Sequence, residues 1–130
     1  MIIIGHPWVD FEPFYFIKKE EDIAKTPSNS CVIFAFSEEA LPLCRYCTQN
    51  DVSFALICDS SRDVLFAQAL GCSYIVCDKS VAKSAQKFAD GYLFDAKILL
   101  YTATESDMDW AAEHEIDGIL FEEGIDYGSC

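Results

Sequence analysis

The sequence predicts a single α/β domain over residues 1–130, with a mostly parallel sheet of five or six strands and helices on both faces. Three observations predict it. Apolar runs of strand length recur about every 20–24 residues, each followed by a polar cap and a helical stretch. The runs are apolar throughout instead of alternating, the pattern of strands covered on both faces. Each intervening segment is long enough to return the chain as a right-handed crossover.

Ile2–Ile4 reads as a short first strand, stopped by Gly5 and Pro7. Phe14–Ile17 reads as an edge strand, and Lys18–Lys25 as a short charged helix before the turn cluster Thr26-Pro27-Ser28-Asn29-Ser30. Residues 1–30 are the irregular part. Strand Val32–Phe36 then meets Ser37 as an N-cap, with Glu38 and Glu39 in the first helical turn, and the helix runs to about Gln49. Strand Phe54–Cys58 meets Asp59-Ser60-Ser61 and a helix that stops at Gly71, suited to a left-handed cap. Strand Tyr74–Cys77 meets Asp78-Lys79-Ser80 and a helix ending near Asp90 and Gly91. Strand Ile98–Tyr101 meets Thr102-Ala103-Thr104 and a helix from about Ser106 to Glu115, and Gly118–Phe121 is the last strand. Residues 124–130 read as a loose tail.

The repeat is also visible residue by residue. Ile57-Cys58-Asp59-Ser60-Ser61 parallels Val76-Cys77-Asp78-Lys79-Ser80. Ala111-Ala112-Glu113-His114-Glu115-Ile116-Asp117-Gly118-Ile119-Leu120-Phe121 resembles the helix-to-strand joint of phosphate-binding (β/α)8 barrels of the aldolase and thiamine-phosphate-synthase type. Ala67–Gly71 followed by Tyr74–Val76 is similar. The resemblance implies a βα architecture at about half the usual barrel length. Lys97 stands at the start of its strand instead of its middle, and the Gly-rich phosphate loops have no counterpart, so no catalytic residue carries across. The alternatives are an open flavodoxin-like sheet and a half-barrel completed by dimerisation.

Composition narrows the function. With 22 acids against 9 basic residues the net charge is −13, which argues against nucleic acid and anionic membrane surfaces as partners. From Glu105 to Asp126 nine acids occur with no Lys or Arg between them, a pattern read first as a solvated face. No apolar run approaches the roughly 18 residues of a membrane helix, and Met1–Pro7 has no basic n-region, so the expected location is cytoplasmic. The seven cysteines fall mostly in apolar runs, where cytosolic thiols act as small core hydrophobes.

In parallel α/β folds ligands bind beyond the carboxyl ends of the strands. The candidate ligand-binding residues there are His6, Asp59, Asp78, Thr102 and Glu122, with Ser37 and Thr104 on the same ring. Asp59 and Asp78 each follow a strand directly, and two such carboxylates with water suit Mg²⁺, the candidate cofactor. Each also suits a helix cap. Cys44-Arg45-Tyr46-Cys47 is the one CxxC, but it falls well inside its helix, where core packing competes with redox chemistry. His114 sits where it complements a helix dipole, and Cys130 is placed to form an intermolecular disulfide. The aromatic loop Gly5–Tyr15 suits an oligomer interface or a cover over the sheet end.

Three functions remain. The first is a non-catalytic, self-associating domain with a small ligand at the strand ends, a small anionic metabolite being one candidate partner. The second is a small Mg²⁺-dependent enzyme acting on a phosphorylated metabolite. The third is a thiol-redox module using Cys44 and Cys47.

Overall fold

The computed structural model describes residues 1–128. Twelve regular elements alternate along it: β1 (Ile2–Ile4), β2 (Phe14–Phe16), β3 (Cys31–Ala35), α1 (Leu41–Gln49), β4 (Ser53–Ile57), α2 (Ser61–Ala69), β5 (Tyr74–Cys77), α3 (Lys79–Tyr92), β6 (Lys97–Thr102), α4 (Asp107–Glu113), β7 (Gly118–Phe121) and β8 (Ile125–Asp126). All eight strands form one sheet in the order β1-β7-β6-β5-β4-β3-β2-β8. Every pairing is parallel. The α/β class is as the sequence predicts, with eight strands in place of five or six. The additional ones are the short edge pieces, β8 having only two residues.

The sheet is curled into a half-barrel, and chain connectivity requires the curl. β7 and β8 stand six places apart in the strand order, yet only Glu122–Gly124 separates them in sequence. Six flat strand spacings would span roughly 29 Å, whereas the link from Phe121 to Ile125 reaches at most roughly 14 Å. Glycines mark where the edges meet. A Cβ at Gly5 would lie 2.5 Å from Gly124 N, and one at Gly124 would lie 2.9 Å from Ile4 Cγ2. Gly5 also holds φ at +101°, a region costly for other residues.

The concave face is filled from within. Ile4, Phe14, Ile33, Ala55, Val76, Leu99, Leu120 and Ile125 form one buried cluster, a single residue from each strand. Phe16, Ile57 and Tyr101 pack on it from the carboxyl end, and Ile2, Cys31 and Tyr74 from the amino end. The alternate strand residues point outward and meet the helices. Cys44 and Cys47 of α1, Val64 and Ala67 of α2, Ala85 of α3 and Ala111 of α4 all belong to that second cluster.

The expectation of helices on both faces is therefore corrected. Fully apolar strands report two covered faces, and here the inner cover is the sheet itself. Gly118 serves this inner packing: a Cβ there would meet Ile2 Cβ at 2.6 Å and Leu99 Cδ2 at 2.8 Å.

Local differences have local causes. Ser37 makes no side-chain cap, because Glu38–Ala40 forms a 3-10 turn and α1 starts at Leu41 with Pro42 in its first turn. α3 passes through Gly91, and Leu93 takes the left-handed capping conformation with φ 54°. The tail read as loose carries β8, anchored by buried Ile125. Cys130 lies outside the described residues. Among those described, no helix is long and apolar enough to cross a membrane.

The amino end of the sheet is braced by Asp117. Its carboxylate accepts from Ile98 N at 2.9 Å and from buried Gln86 Nε2 at 3.1 Å, and its own N–H donates to Gln86 Oε1 at 2.8 Å. Helix α3 is thereby tied to β6 and β7.

Candidate functional site: the carboxyl-end rim

Asp59 and Asp78 follow the carboxyl ends of the neighbouring strands β4 and β5. Ile57 pairs with Val76, and Cys58 N–H donates to Val76 O at 2.9 Å. Continuing that register sets Asp59 level with Asp78 on adjacent strands. Both are exposed. Asp78 caps α3, its Oδ1 accepting from Ser80 N at 2.9 Å, whereas α2 is capped by Ser60 Oγ, which accepts from Asp63 N at 3.2 Å. Asp59 thus stays free of cap duty. Among the described residues, no three or more His, Cys, Asp or Glu side chains are grouped to hold a metal ion.

His6 follows β1 and turns toward Glu105 on the β6–α4 loop, its Nε2 lying 2.7 Å from Oε1. Its Nδ1 accepts the Trp8 backbone N–H at 3.1 Å. An acceptor Nδ1 fixes the neutral tautomer with the proton on Nε2, which donates to Glu105. Both ring nitrogens are therefore engaged, and His6 holds the Gly5–Val9 loop against Phe121, 5.5 Å away between ring centres. A recess of about 410 Å³ opens beside it, lined by Phe11, Ala103, Glu105 and Glu123 among others.

Thr102 is buried and faces α4. Its hydroxyl donates to Asp107 Oδ2 at 2.6 Å and accepts from Thr104 N at 3.1 Å. Asp107 Oδ1 takes Lys79 Nζ at 2.6 Å. The bonds from Lys79 and Thr102 hold the Asp107 carboxyl below its ordinary range. Thr104 Oγ1 pairs with Ser106 Oγ at 3.0 Å. These hydroxyls build the β6–α4 corner. Glu122 is exposed at the start of the last 3-10 turn, close to Tyr101. Burial raises the Tyr101 hydroxyl above its ordinary value, and Tyr127, Glu122 and Glu123 add to the effect. His114 Nδ1 lies 2.8 Å from Trp110 O, at the helix end where its dipole role was expected.

An opening that sequence reasoning missed lies beside the paired strands β2 and β8, against the Lys18–Thr26 segment. It encloses about 600 Å³ and is lined by Tyr15, Phe16, Lys18, Lys19, Asp22, Lys25, Thr26, Asp126, Tyr127 and Gly128. Phe16 and Tyr127 rings sit 5.2 Å apart, tilted by 45°. The trace in the sequence is slight: three of the nine basic residues fall within Lys18–Lys25, but Glu20, Glu21 and Asp22 fall there too. Glu105 was also missed as the His6 partner, since 99 residues separate the two. A further recess of about 460 Å³ opens at the amino end, lined by Ile2, Phe14, Cys31 and Tyr74 with Asp10 and Glu12. The helices α2 and α3 begin at the opposite end, where their N–H dipoles gather.

Cys44 and Cys47 are buried on the inner side of α1, and burial pushes both thiols up to about 11. Cys31, Cys72 and Cys77 rise to about 12 for the same reason. At pH 8 iodoacetamide is expected to modify Cys44 and Cys47 at least about 100-fold more slowly in the native protein than in urea, since thiolate is the nucleophile. Equal rates would mean an accessible, activated CxxC. Raised thiol values also make folding favour the protonated form. Stability from this source is full below about pH 9 and is lost as pH rises through about 11–12.

No protein-family model matches the chain, and no curated protein matches it.

Proposed function

We propose that this chain is a non-catalytic binding domain that holds a small molecule at the carboxyl-end rim of its curled sheet. The observation that carries the reading is the filled concave face. One buried apolar side chain from each of eight strands occupies it, so a ligand has its place at the ends and not in the interior. The N-termini of α2 and α3 open onto the carboxyl end beyond β4 and β5, and a cleft of about 600 Å³ lies farther along, beside β2 and β8. The groups that serve catalysis elsewhere are committed here: His6 by two hydrogen bonds, Thr102 by Asp107 and Thr104, the CxxC thiols by burial.

Self-association belongs to the same reading. Trp8 is 88% exposed, and Phe66, Tyr92 and Leu93 also stand in solvent, apolar area of the kind oligomer interfaces cover. The six described cysteines are free thiols, which suits a cytoplasmic setting.

Native mass spectrometry of freshly purified protein under reducing conditions tests the proposal. The expected spectrum is a dimer or larger species carrying a small-molecule mass. An apo monomer contradicts it. A retained Mg²⁺ that disappears in the Asp59→Asn, Asp78→Asn double variant would transfer the assignment to the metal-dependent enzyme.

A further inference from the structure

We infer that the cleft beside β2 and β8, against the Lys18–Thr26 segment, binds a small phosphorylated molecule carrying a planar ring. The inference rests on the rim-binding reading and names the class of ligand. Lys18, Lys19 and Lys25 line the cleft in a chain whose net charge is −13. Anions are repelled by most of this surface, whereas the cleft lining sets three ammonium groups against the two carboxylates of Asp22 and Asp126, a slight local excess of positive charge.

The backbone N–H of Lys18 does most to hold the Asp22 carboxyl below its ordinary range, and the charges of Lys25 and Lys19 lower it further through space, yet neither ammonium group is in ion-pair contact with it. Asp22 Oδ2 accepts from the backbone N–H groups of Lys18 at 3.0 Å and Lys19 at 3.3 Å, and Asp126 Oδ1 accepts from Gly128 N at 2.8 Å. Among the described residues, the ion pair that a lysine makes is Lys79–Asp107, on another part of the rim. The three ammonium groups, exposed and out of ion-pair contact, can be reached by an anion from solution.

The ring requirement comes from the opposite wall. Tyr127 packs on Phe16 and remains 59% exposed, offering an aromatic surface beside the lysines. A phosphate among the ammonium groups and a ring against Tyr127 use both walls at once. A volume of about 600 Å³ admits a molecule of that size.

Phenyl phosphate is the probe, with inorganic phosphate and phenol as its two halves, in calorimetric titrations at low salt. Phenyl phosphate is expected to bind more tightly than either half and to weaken as salt rises. Replacing Lys18, Lys19 and Lys25 by Ala is expected to weaken it on the order of 100-fold, at roughly fivefold per exposed charge contact. Arg at the same three positions is expected to retain it. Tyr127→Ala is expected to weaken phenyl phosphate and leave inorganic phosphate unchanged. All four side chains are exposed, so circular dichroism melts should match the wild type. Equal binding by the wild type and the triple Ala variant overturns the inference, as does no binding at millimolar probe. A co-purified mass retained by the triple Ala variant overturns the cleft assignment and leaves the rim reading standing.

Discussion

Gly5→Ala is expected to remove about 2–6 kcal/mol of folding stability. Two costs add: about 1–3 kcal/mol for a side chain held at positive φ, and about 1–3 kcal/mol for forcing atoms into a packed site. The added Cβ would stand 2.5 Å from Gly124 N, 2.9 Å from Gly124 Cα and 3.0 Å from Phe121 O. All three are backbone atoms, so no rotamer change relieves the contact. Relief requires β1 to part from the turn before β8, which opens the curl. Urea titration reads the loss directly. Gly91→Ala is the control, because nothing lies within 4 Å of its Cβ position and it sits inside α3. There Ala is expected to stabilise by about 0.5–1 kcal/mol. A Gly5→Ala loss below about 1 kcal/mol would mean that the edge strands do not meet.

Leu99→Ala is expected to cost about 3–5 kcal/mol, the range of leucine truncations in closed cores. Leu99 is fully buried in the inner cluster, between Val76 on β5 and Gly118 on β7. Gly118 has no side chain to fill the space, and seven other strands constrain the site. Leu65 is the matched exposed case on α2, and Leu65→Ala is expected to stay within about 0.5 kcal/mol. Since domains of this kind have about 5–15 kcal/mol in total, Leu99→Ala should shift the urea midpoint far more than Leu65→Ala. Equal small shifts would mean that the concave face is loosely packed or wet.

The repeat made the larger part of the fold legible, and its limits explain what escaped. β3 to β7 were readable because each is a continuous apolar run between polar caps. β8 was not, because Ile125 is the only apolar residue of a two-residue strand set among Gly and acids. The curl was legible only as one of two alternatives, the half-barrel beside the open flavodoxin-like sheet. Period and apolarity report that a strand is covered, while curvature comes from how eight strands meet, seen here at Gly5, Gly118 and Gly124.

The rim was legible in part. Asp59 and Asp78 stood out because the repeat aligns them, and the register sets them level. The His6–Glu105 contact joins opposite ends of the chain and leaves no local trace. Lys18, Lys19 and Lys25 left a trace in charge, but Lys18–Lys25 also reads as a solvated helix, and only the folded position of Tyr127 turns it into a wall of a cleft.

The central claim is that this domain holds its ligand at the carboxyl-end rim. A crystal structure of the protein as purified, grown without phosphate or sulfate, tests it most directly. The account expects density for a bound molecule at that rim, touching residues of the Lys18–Lys25 segment and Tyr127, above an inner cluster that stays dry. Density in the amino-end recess among Ile2, Phe14 and Tyr74, or inside the curl, would contradict it.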